Sequence, residues 1–431
     1  MRIRSVHLLL ALLSIMLSSP TLFSQGFGLT AGNRALARNG LYLAGTVGSA
    51  TALLNPAGLV YLPGRALELT IGDWYGQFAY ERSPQDRFRS YREHNFNFSA
   101  GVYWTLAPRF SAALTFSRPA DYQVNWPFAL VFTKGVSTTL AAFDMFNRIQ
   151  IEAISPALAW RFGRFALGVT ASAYHLRQHT AFPLANQEWY QNRGEAAYQF
   201  EYEQDAWTSG VQLGLLATLS EKVRLGGTVR SAYKAALSGE ATSRMLADLD
   251  GAATRVDLSG DFEMPWVWGA GLVYQLGKSW ELNLDAAYSL WANTRNNFDF
   301  QFNDSRWQSR LTEVDGVTGL RGSSFPLAFA NSMDLGFGFE YAPPQGLAYR
   351  AGYRYSQSPN SAESYSMLFP SVDAHSLSLG IGYQDGNFAI DAALAYTLGV
   401  TAAIAAAENS NSPGKYDVKA LVPIVTVQNK F

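Results

Sequence analysis

Residues 280–291 read WELNLDAAYSLW, and this stretch decides the fold class. Apolar side chains recur at every second position from Trp280 to Leu290, and the positions between them are mostly polar. Because side chains alternate between the two faces of a β-strand, the stretch predicts a strand with one apolar and one polar face. Residues 222–234, 333–341 and 347–356 repeat the pattern. Aromatic residues lie near the ends of the apolar faces, as they do at membrane interfaces.

The composition indicates an exported membrane protein without helical spans. Arg2 and Arg4 precede a short apolar stretch at 6–17, and Ser24 is a suitable small residue before a cleavage site, so residues 1–24 are predicted to be a signal peptide. Charged residues make up 16% of the chain, against about a quarter in soluble domains. The remainder has no apolar run of about 18 residues. An outer-membrane β-barrel fits these properties, and a secreted soluble β-protein is the alternative.

Charge and residue counts exclude several kinds of partner and site. Lys and Arg total 33 and Asp and Glu total 34, a balance that argues against a nucleic-acid partner. The chain has no cysteine, so disulfides and thiolate metal sites are impossible. His175 and His179 have the spacing of helical metal ligands, but on a strand this spacing separates them by about 13 Å. We therefore expect no metal and no cofactor.

The connections between strands alternate between short and long. Short turns are predicted at residues 106–108, 163–164, 220–221, 277–279, 342–346 and 385–386. Long loops are predicted at 81–94, 119–151, 178–205, 239–262, 300–330, 358–373 and 399–416. Short periplasmic turns and long extracellular loops are typical of bacterial barrels, and the strands that flank them number fourteen. In the first strand the alternation shifts phase near Asp73 and Trp74, which predicts a bulge or kink there.

One stretch near the start of the mature chain does not alternate. Residues 45–59 contain many small residues and end in the turn-forming sequence Asn55-Pro56-Ala57-Gly58. Fourteen strands enclose a lumen wider than the barrel of about eight strands that side chains can fill. We therefore predict an all-β fold, a 14-stranded antiparallel transmembrane β-barrel at 65–431 with a small N-terminal hatch, or plug, at 25–64. The residues predicted to form and gate the plug are Gly45, Gly48, Asn55, Pro56, Ala57 and Gly58.

The polar strand faces carry both signs of charge. The charged residues predicted to line the lumen are Arg224, Arg230, Asp285, Asp334, Glu340, Arg350, Arg354 and Asp391. A catalytic acid–base pair is one interpretation, and mutual ion pairing along the lumen wall is the favoured one. The chain contains no Gly-x-Ser-x-Gly nucleophile elbow, so we expect no enzymatic activity. Glycines at 269, 271, 380 and 382 lie inside strands and are interpreted as making room for a neighbour.

Several motifs resemble the FadL-type outer-membrane transporters of long-chain fatty acids and other hydrophobic compounds. Residues 32–35, GNRA, and 54–59, LNPAGL, are similar to the hatch of that family. Residues 264–266, MPW, resemble its proline-initiated strand, and 285–291, DAAYSLW, a later strand. Residues 335–341, LGFGFEY, and 349–359, YRAGYRYSQSP, resemble its paired strands before the sixth long loop.

The resemblance implies passive diffusion of hydrophobic small molecules or fatty acids through a plugged barrel. It implies capture by extracellular loops, rearrangement of the hatch and lateral release into the bilayer through an inward kink of one strand. Apolar side chains in the second long loop form a possible capture site: Trp126, Phe128, Phe132, Phe143 and Phe146. Outer-membrane lipids, lipopolysaccharide and the barrel-insertion machinery are the other expected partners. The alternative function is a structural or protein-export partner in surface assembly, without lipid transport.

Overall fold

The computed structural model describes residues 32–431 except residue 39, residues 135–136, 186–196, 244–252, 312–323 and 344–345, and residue 411. The predicted signal peptide and residues 25–31 of the predicted plug lie outside the described residues. In the parts of the chain that are described, no helix is long and apolar enough to cross a membrane.

The described residues are dominated by antiparallel strands. The strands are β1 (Arg65–Ser83), β2 (Asp86–Arg89), β3 (Glu93–Ala107), β4 (Phe110–Lys134), β5 (Ser137–Phe162), β6 (Phe165–Ala185), β7 (Ala197–Thr218), β8 (Val223–Arg230), β9 (Tyr233–Thr242), β10 (Arg255–Met264), β11 (Val267–Leu276), β12 (Trp280–Ser289), β13 (Asn297–Asp299), β14 (Gln301–Phe302), β15 (Ser324–Pro326), β16 (Ser332–Tyr341), β17 (Leu347–Ser356), β18 (Ala374–Asp385), β19 (Phe388–Gly399), β20 (Ala402–Ile404) and β21 (Gly414–Lys430).

These strands close into a barrel. β1 pairs with β3 on one side and with β21 on the other, from Ala66 opposite Lys430 to Glu81 opposite Lys415, so the sheet has no free edge there. β8 and β9 together form one barrel strand, as do β10 and β11, because β7 pairs with both β8 and β9. With β2 counted as an extension of β3, and with the short strands β13, β14, β15 and β20 of the long connections left out, the described strands make the predicted 14-stranded antiparallel barrel.

One end of the barrel carries the short turns. Gly163, Gly277 and Gly386 lie in these turns with φ of 63°, 69° and 55°, a region that only glycine adopts without strain. The predicted short turns are therefore confirmed. Arg65 and Phe431 lie at the same end, where the Arg65 guanidinium donates to the Phe431 carbonyl at 2.8 Å. This is the periplasmic end, and the opposite end is extracellular.

The predicted division of the strand faces is also confirmed. Leu284 is 51% exposed on the outside of β12, whereas its neighbours Asn283 and Asp285 are buried inside. On β16, Leu335 and Phe337 likewise face outward. The outer wall of the periplasmic half is therefore apolar, and its inner wall is polar.

The predicted loops 119–151 and 178–205 are wrong in part, because long strands extend into them. β4 and β5 pair up to Lys134 and Ser137, and β6 pairs with β7 up to Ala185. In these extensions most inward side chains are apolar, such as Tyr122 and Val124, with some buried polar ones such as Asn147, and charged side chains such as Arg177 point outward. The polarity is thus the reverse of that in the membrane, because the extensions leave the bilayer and enclose an apolar interior.

The predicted bulge near Asp73 is also wrong. β1 keeps its register with β3 through Asp73 and Trp74. The apolar residues change face because Trp74 and Phe78 point into an apolar interior. A bulge occurs instead in β4 between Ser117 and Ala120, and the inward face also switches at the breaks β8–β9 and β10–β11.

The segment 32–62, called the plug below, lies inside the barrel. It contains α1 (Gly32–Leu36), α2 (Thr51–Leu54) and a 3₁₀ helix (Pro56–Tyr61). Most of its described side chains are fully buried, and it contacts strands around the whole circumference. The other helices among the described residues are α3 (Ser305–Leu311) and two 3₁₀ turns, Trp291–Asn293 and Ala362–Ser364, all in extracellular connections.

Candidate transport path

A continuous ion network holds the plug against one side of the wall. Arg34 pairs with Asp391 at 3.1 Å, and Arg350 pairs with the other oxygen of Asp391 at 2.7 Å. Glu340 accepts from both Arg350 and Arg38 of the plug. Because each buried charge faces an opposite one, removing a single member leaves an uncompensated charge.

The network continues to a second wall carboxylate, Glu281. Its oxygens face Arg38 at 3.5 Å and Arg224 at 3.7 Å, and it also accepts from the Tyr42 hydroxyl. The Arg38 guanidinium lies over the Tyr42 ring, 4.2 Å from its centre. Tyr42 itself has a φ of 48°, an uncommon conformation for a bulky residue. The plug backbone is thus held in a strained conformation where it meets the network.

Two further carboxylates receive backbone N–H groups of the plug. Asp285 accepts from the Leu43 N–H at 2.7 Å, and Glu68 accepts from the Ser49 N–H at 2.6 Å. A Cβ on Gly48 would lie 1.9 Å from the Glu68 oxygen, and Gly48 has a φ of 77°. Only glycine fits this close approach without strain.

Asn55 fixes the turn that the sequence analysis singled out. Its side-chain oxygen accepts from the Ala57 N–H at 3.2 Å and so caps the 3₁₀ helix that begins at Pro56. Its side-chain nitrogen donates to the carbonyls of Leu43 in the plug and Leu215 in the wall, at 2.8 and 3.1 Å. One side chain therefore joins two parts of the plug to β7.

Glycines in the wall make the space that the plug occupies. A Cβ on Gly214 would lie 2.1 Å from the Asn55 oxygen, and one on Gly168 would lie 2.3 Å from the Ala57 nitrogen. Gly271 and Gly380 face Ala44 and Ala37 in the same way, which agrees with the interpretation of the strand glycines as space for a neighbour. Gly45 and Gly58 have equally close neighbours within the plug itself.

The predicted lumen charges all belong to inward-facing strand positions, but they do not form one site. Asp285, Glu340, Arg350, Asp391 and Arg224 contact the plug or its network. Asp334 and Arg354 pair with each other at 2.8 Å within the wall. Arg230 lines a cavity above the plug.

Sequence reasoning missed Arg34, Arg38 and Glu68, which complete the contacts between plug and wall. Arg34 lies in the GNRA motif already quoted, but nothing in the sequence relates it to Asp391, 357 positions away. Glu68 does follow the alternation of β1 and could have been found from it.

Above the plug, the lumen is filled by aromatic side chains, called the chamber below. Rings from β1, β4, β6 and β7 meet rings from the extracellular connections. Its largest fully buried members are Trp74, Trp126, Phe182, Phe200, Tyr202, Phe300, Trp307 and Tyr416, the last on β21. Ring centres lie at about aromatic contact distance, for example 5.0 Å between Phe182 and Phe200.

Residues 365–369, called the lid below, cross this chamber from the connection between β17 and β18. The Trp126 indole N–H donates to the Met367 carbonyl at 2.6 Å. The Tyr122 hydroxyl and the Asn147 amide donate to the Leu368 carbonyl at 2.9 and 3.1 Å. Strands β4 and β5 thus hold the lid by three hydrogen bonds, two of them to one peptide oxygen. Burial raises the pKa of Tyr365 to about 12, so its phenol remains neutral in the chamber.

Between the lid and the plug lies a small apolar cavity of about 40 Å³. Ile149, Ile151, Phe262, Met264 and Trp291 line it, with Arg230 at its margin. A cavity that holds benzene measures about 150 Å³. This cavity is therefore too small for a molecule of that size.

The wall beside the chamber has a gap in its hydrogen bonding. β3 and β4 pair from Ala107 opposite Phe110 only as far as Ser99 opposite Ser117. Beyond that pair, the bulge in β4 at Arg118 and Pro119 interrupts the main-chain pairing with β3, and only the Arg118 side chain reaches across, donating to the Phe96 carbonyl at 3.4 Å. Main-chain hydrogen bonding resumes where the Tyr91 N–H donates to the Asn125 carbonyl at 2.7 Å.

Polar side chains lie on both sides of this gap. Both amide atoms of buried Asn95 and one oxygen each of Asp73 and Asn97 have no hydrogen-bond partner among the described residues. Arg118 lies on the opposite side and pairs with Glu152 at 2.6 Å and Asp121 at 3.3 Å. The gap is thus a polar break in an otherwise hydrogen-bonded wall.

The residues predicted to capture a ligand lie on strands and not in a loop. Trp126 points inward and holds the lid, whereas Phe146 points outward against His179, with ring centres 4.6 Å apart. The backbones of Phe128, Phe132 and Phe143 lie in β4 and β5, and their side chains fall outside the described residues. The structure thus separates Trp126 from Phe146.

A comparison with family profiles finds one that matches residues 26–431, described as outer membrane protein transport protein (OMPP1/FadL/TodX). A search of curated proteins gives no match.

Solved structures with a similar fold include a FadL homologue of Pseudomonas aeruginosa, with a TM-score of 0.74 and 15% identity over 96% of this chain and 100% of that one. The toluene transporter TodX of P. putida aligns with a TM-score of 0.69 and 16% identity over 94% and 99% of the two chains. The toluene transporter TbuX of Ralstonia pickettii aligns with a TM-score of 0.68 and 15% identity over the same shares. At these identities the likeness shows the fold alone.

Proposed function

Since the chain belongs to the OMPP1/FadL/TodX family of outer-membrane transport proteins, which carry hydrophobic compounds, we propose a specific path for such compounds through this barrel. The compound enters the chamber from outside, displaces the lid, reaches the cavity above the plug and leaves sideways through the gap between β3 and β4. The observation that carries the proposal is the apolar chamber that ends on a plug and lies beside a break in the wall.

Apolar molecules are the substrates that the chamber suits. Its buried aromatic and aliphatic lining offers them an environment that favours their transfer out of water. Long-chain fatty acids are included, because Arg230 at the cavity margin supplies a cation for a carboxylate. Toluene, which the TodX and TbuX structures are named for, is the uncharged counterpart.

Lateral release is favoured over passage through the plug. The plug is fixed by buried ion pairs and backbone hydrogen bonds, so full removal breaks many contacts at once. The gap requires no main-chain hydrogen bond to break, since β3 and β4 are not paired there. A route through the wall also spares an apolar compound from crossing the periplasmic water.

Access and release are coupled through β4 in this proposal. The same strand holds the lid through Tyr122 and Trp126 and carries the bulge at Arg118 and Pro119. A ligand that displaces the lid removes two of the contacts that fix β4, only a few residues from the gap. The lid and the wall opening then respond to one event.

Deleting Pro119 tests the route. The deletion removes the extra residue of the bulge, so the inward alternation of Ser117 continues directly into Ala120 and β4 can pair with β3. Cells making this variant should lose uptake of radiolabelled toluene and oleate, while Pro119→Ala, which keeps the residue count, should retain it. Unchanged uptake in a folded deletion variant would contradict lateral release.

Replacing Arg230 with Gln tests the range of substrates. Oleate uptake should fall because its carboxylate loses a cationic partner, and toluene uptake should stay unchanged. An equal fall for both compounds would mean that Arg230 acts only on the shape of the chamber.

A further inference from the structure

A second feature lies on the outer surface of the barrel, away from the transport path. An open groove of about 430 Å³ runs along β1, β19 and β21, beneath the connection that carries β2. Three cations line it: Arg89, Arg92 and Lys419. The two aromatic residues that line it are Tyr75 and Tyr396.

The strand register places the groove where the lipid-facing surface ends. On neighbouring β1 and β21, outward pairs change from Ile71 opposite Val425 to Tyr75 opposite Leu421, and then to Gln77 opposite Lys419. Aliphatic, then aromatic, then charged side chains is the order from the bilayer core to its headgroup layer. Since this is the extracellular side, the cations lie at the headgroups of the outer leaflet.

The cations of the groove are not neutralised by the protein. Among the described residues, Arg89, Arg92 and Lys419 have no carboxylate within ion-pair distance, and all three are exposed. Asp417 is the carboxylate in the lining, and one of its oxygens accepts the backbone N–H of Val418 at 2.8 Å.

Neighbouring surfaces differ in this respect. Just above the groove, Glu81 pairs with both Arg87 at 2.9 Å and Lys415 at 3.1 Å. A second depression lies on the outer surface at the far side of the barrel. There basic side chains lie beside carboxylates, for example His175 at 2.8 Å from Asp205. The groove is thus an uncompensated cationic patch, unlike these two surfaces, whose cations are paired.

We propose that this groove binds a phosphorylated glycolipid of the outer leaflet, of the lipid A type. Its phosphates would contact Arg89, Arg92 and Lys419 through charge-assisted hydrogen bonds. An acyl chain would lie along the apolar strip that begins at Tyr75 and Leu421 and continues toward Ile71. The Arg92 guanidinium is placed by the Tyr75 ring, 5.3 Å from its centre.

The test is binding of bis-phosphorylated lipid A to the purified mature protein in detergent, measured by native mass spectrometry. Wild-type protein should bind it about tenfold more tightly than the double variant Arg89→Gln with Lys419→Gln. Dephosphorylated lipid A should bind both proteins equally. Arg255→Gln is the matched control, because it removes an exposed cation that Glu240 already pairs at 3.1 Å, and its binding should equal that of wild type.

Two outcomes would overturn the proposal. An equal loss in the Arg255→Gln control would mean that lipid A responds only to total charge. Displacement of lipid A by excess inorganic phosphate would mean a site for free anions and not for a lipid. If the double variant does not fold, the single variants Arg89→Gln and Lys419→Gln apply, and unchanged binding in both would also reject the groove.

Discussion

The periplasmic and extracellular halves of the lumen are held by opposite kinds of contact. In the periplasmic half, the plug is joined to a polar wall by buried ion pairs such as Arg38 with Glu340 and by backbone hydrogen bonds such as Leu43 to Asp285. In the extracellular half, aromatic rings fill the interior and the lid is held by neutral hydrogen bonds, three of them from β4 and β5. Removing one member of a buried ion network costs much free energy, whereas removing one neutral hydrogen bond costs little.

This difference assigns separate tasks to the two halves. An apolar compound competes well for aromatic surface but cannot replace a buried ion pair. The extracellular half is therefore the part that a hydrophobic ligand rearranges, and the periplasmic half is the part that keeps the barrel sealed. The proposed lateral route follows from this division, since it requires the upper contacts to yield while most of the lower ones persist.

The largest expected effect is in the plug network. Arg38→Met leaves Glu281 and Glu340 short of a buried cation, which should cost about 3–5 kcal/mol of docking free energy. Conductance in planar bilayers should rise because the plug leaves its site, while heat-modifiable migration shows that the barrel is still folded.

Arg354→Met is the matched control for that variant. Arg354 is as buried as Arg38, but among the described residues its ion-pair partner is Asp334 of the wall and not a residue of the plug. The control should lower barrel stability without raising conductance. Equal conductance in the two variants would remove the distinction between plug contacts and wall contacts.

A smaller effect is expected from filling the space that the wall leaves for the plug. Gly214→Ala puts a methyl group 2.1 Å from the Asn55 oxygen, and overpacking of this kind costs about 1–3 kcal/mol. Limited proteolysis should cleave the plug faster in this variant. Gly227→Ala, on the neighbouring strand with nothing within 4 Å of its Cβ, should behave as wild type. Equal cleavage rates would show that Asn55 does not hold the plug.

The smallest effect is expected in the extracellular half. Trp126→Phe keeps the ring but removes the hydrogen bond to Met367, worth about 1 kcal/mol. Amide hydrogen exchange in residues 365–369 should become faster by about fivefold, while exchange in the plug stays unchanged. Trp207→Phe, a change on the outer surface against His175, is the control and should alter neither. Faster exchange in the plug as well would contradict the separation of the halves.

The sequence reveals the membrane wall more readily than the parts around it. Alternation in residues 280–291 and 333–341 predicts both the strands and their outward faces, because lipid on one side and water or plug on the other enforce a period of two. In β4 and β5 beyond the bilayer, the same alternation runs with reversed polarity. The pattern therefore predicts a loop where the structure places Tyr122 and Trp126 on a strand.

The sequence predicts the plug segment by elimination, because it does not alternate as the strands do. It does not predict the contacts that fix the plug to the wall. The small residues and the Asn55 turn indicate a compact non-strand segment, and the structure gives Asn55 the contacts that such a turn needs. The partners of Arg34 and Arg38 lie hundreds of residues away in sequence, and no periodicity links a short helix to a strand face. The lid is also not predicted. The main-chain carbonyls of the lid accept the hydrogen bonds from Tyr122 and Trp126, and a main-chain carbonyl is present in every residue type, so the sequence does not mark these positions.

The central claim is that a ligand leaves through the wall above the plug while the plug stays docked by its ion network. The chain has no cysteine, so Ala37→Cys with Gly380→Cys creates a single pair. A Cβ on Gly380 would lie 2.5 Å from the Ala37 Cβ. This differs by about 1–2 Å from the Cβ–Cβ distance across a disulfide, so a small shift would allow the bond to form. Oxidised cells should keep uptake of radiolabelled oleate and toluene, as each single-cysteine variant should under both conditions. Loss of uptake by the oxidised, cross-linked protein that returns on reduction would contradict the claim.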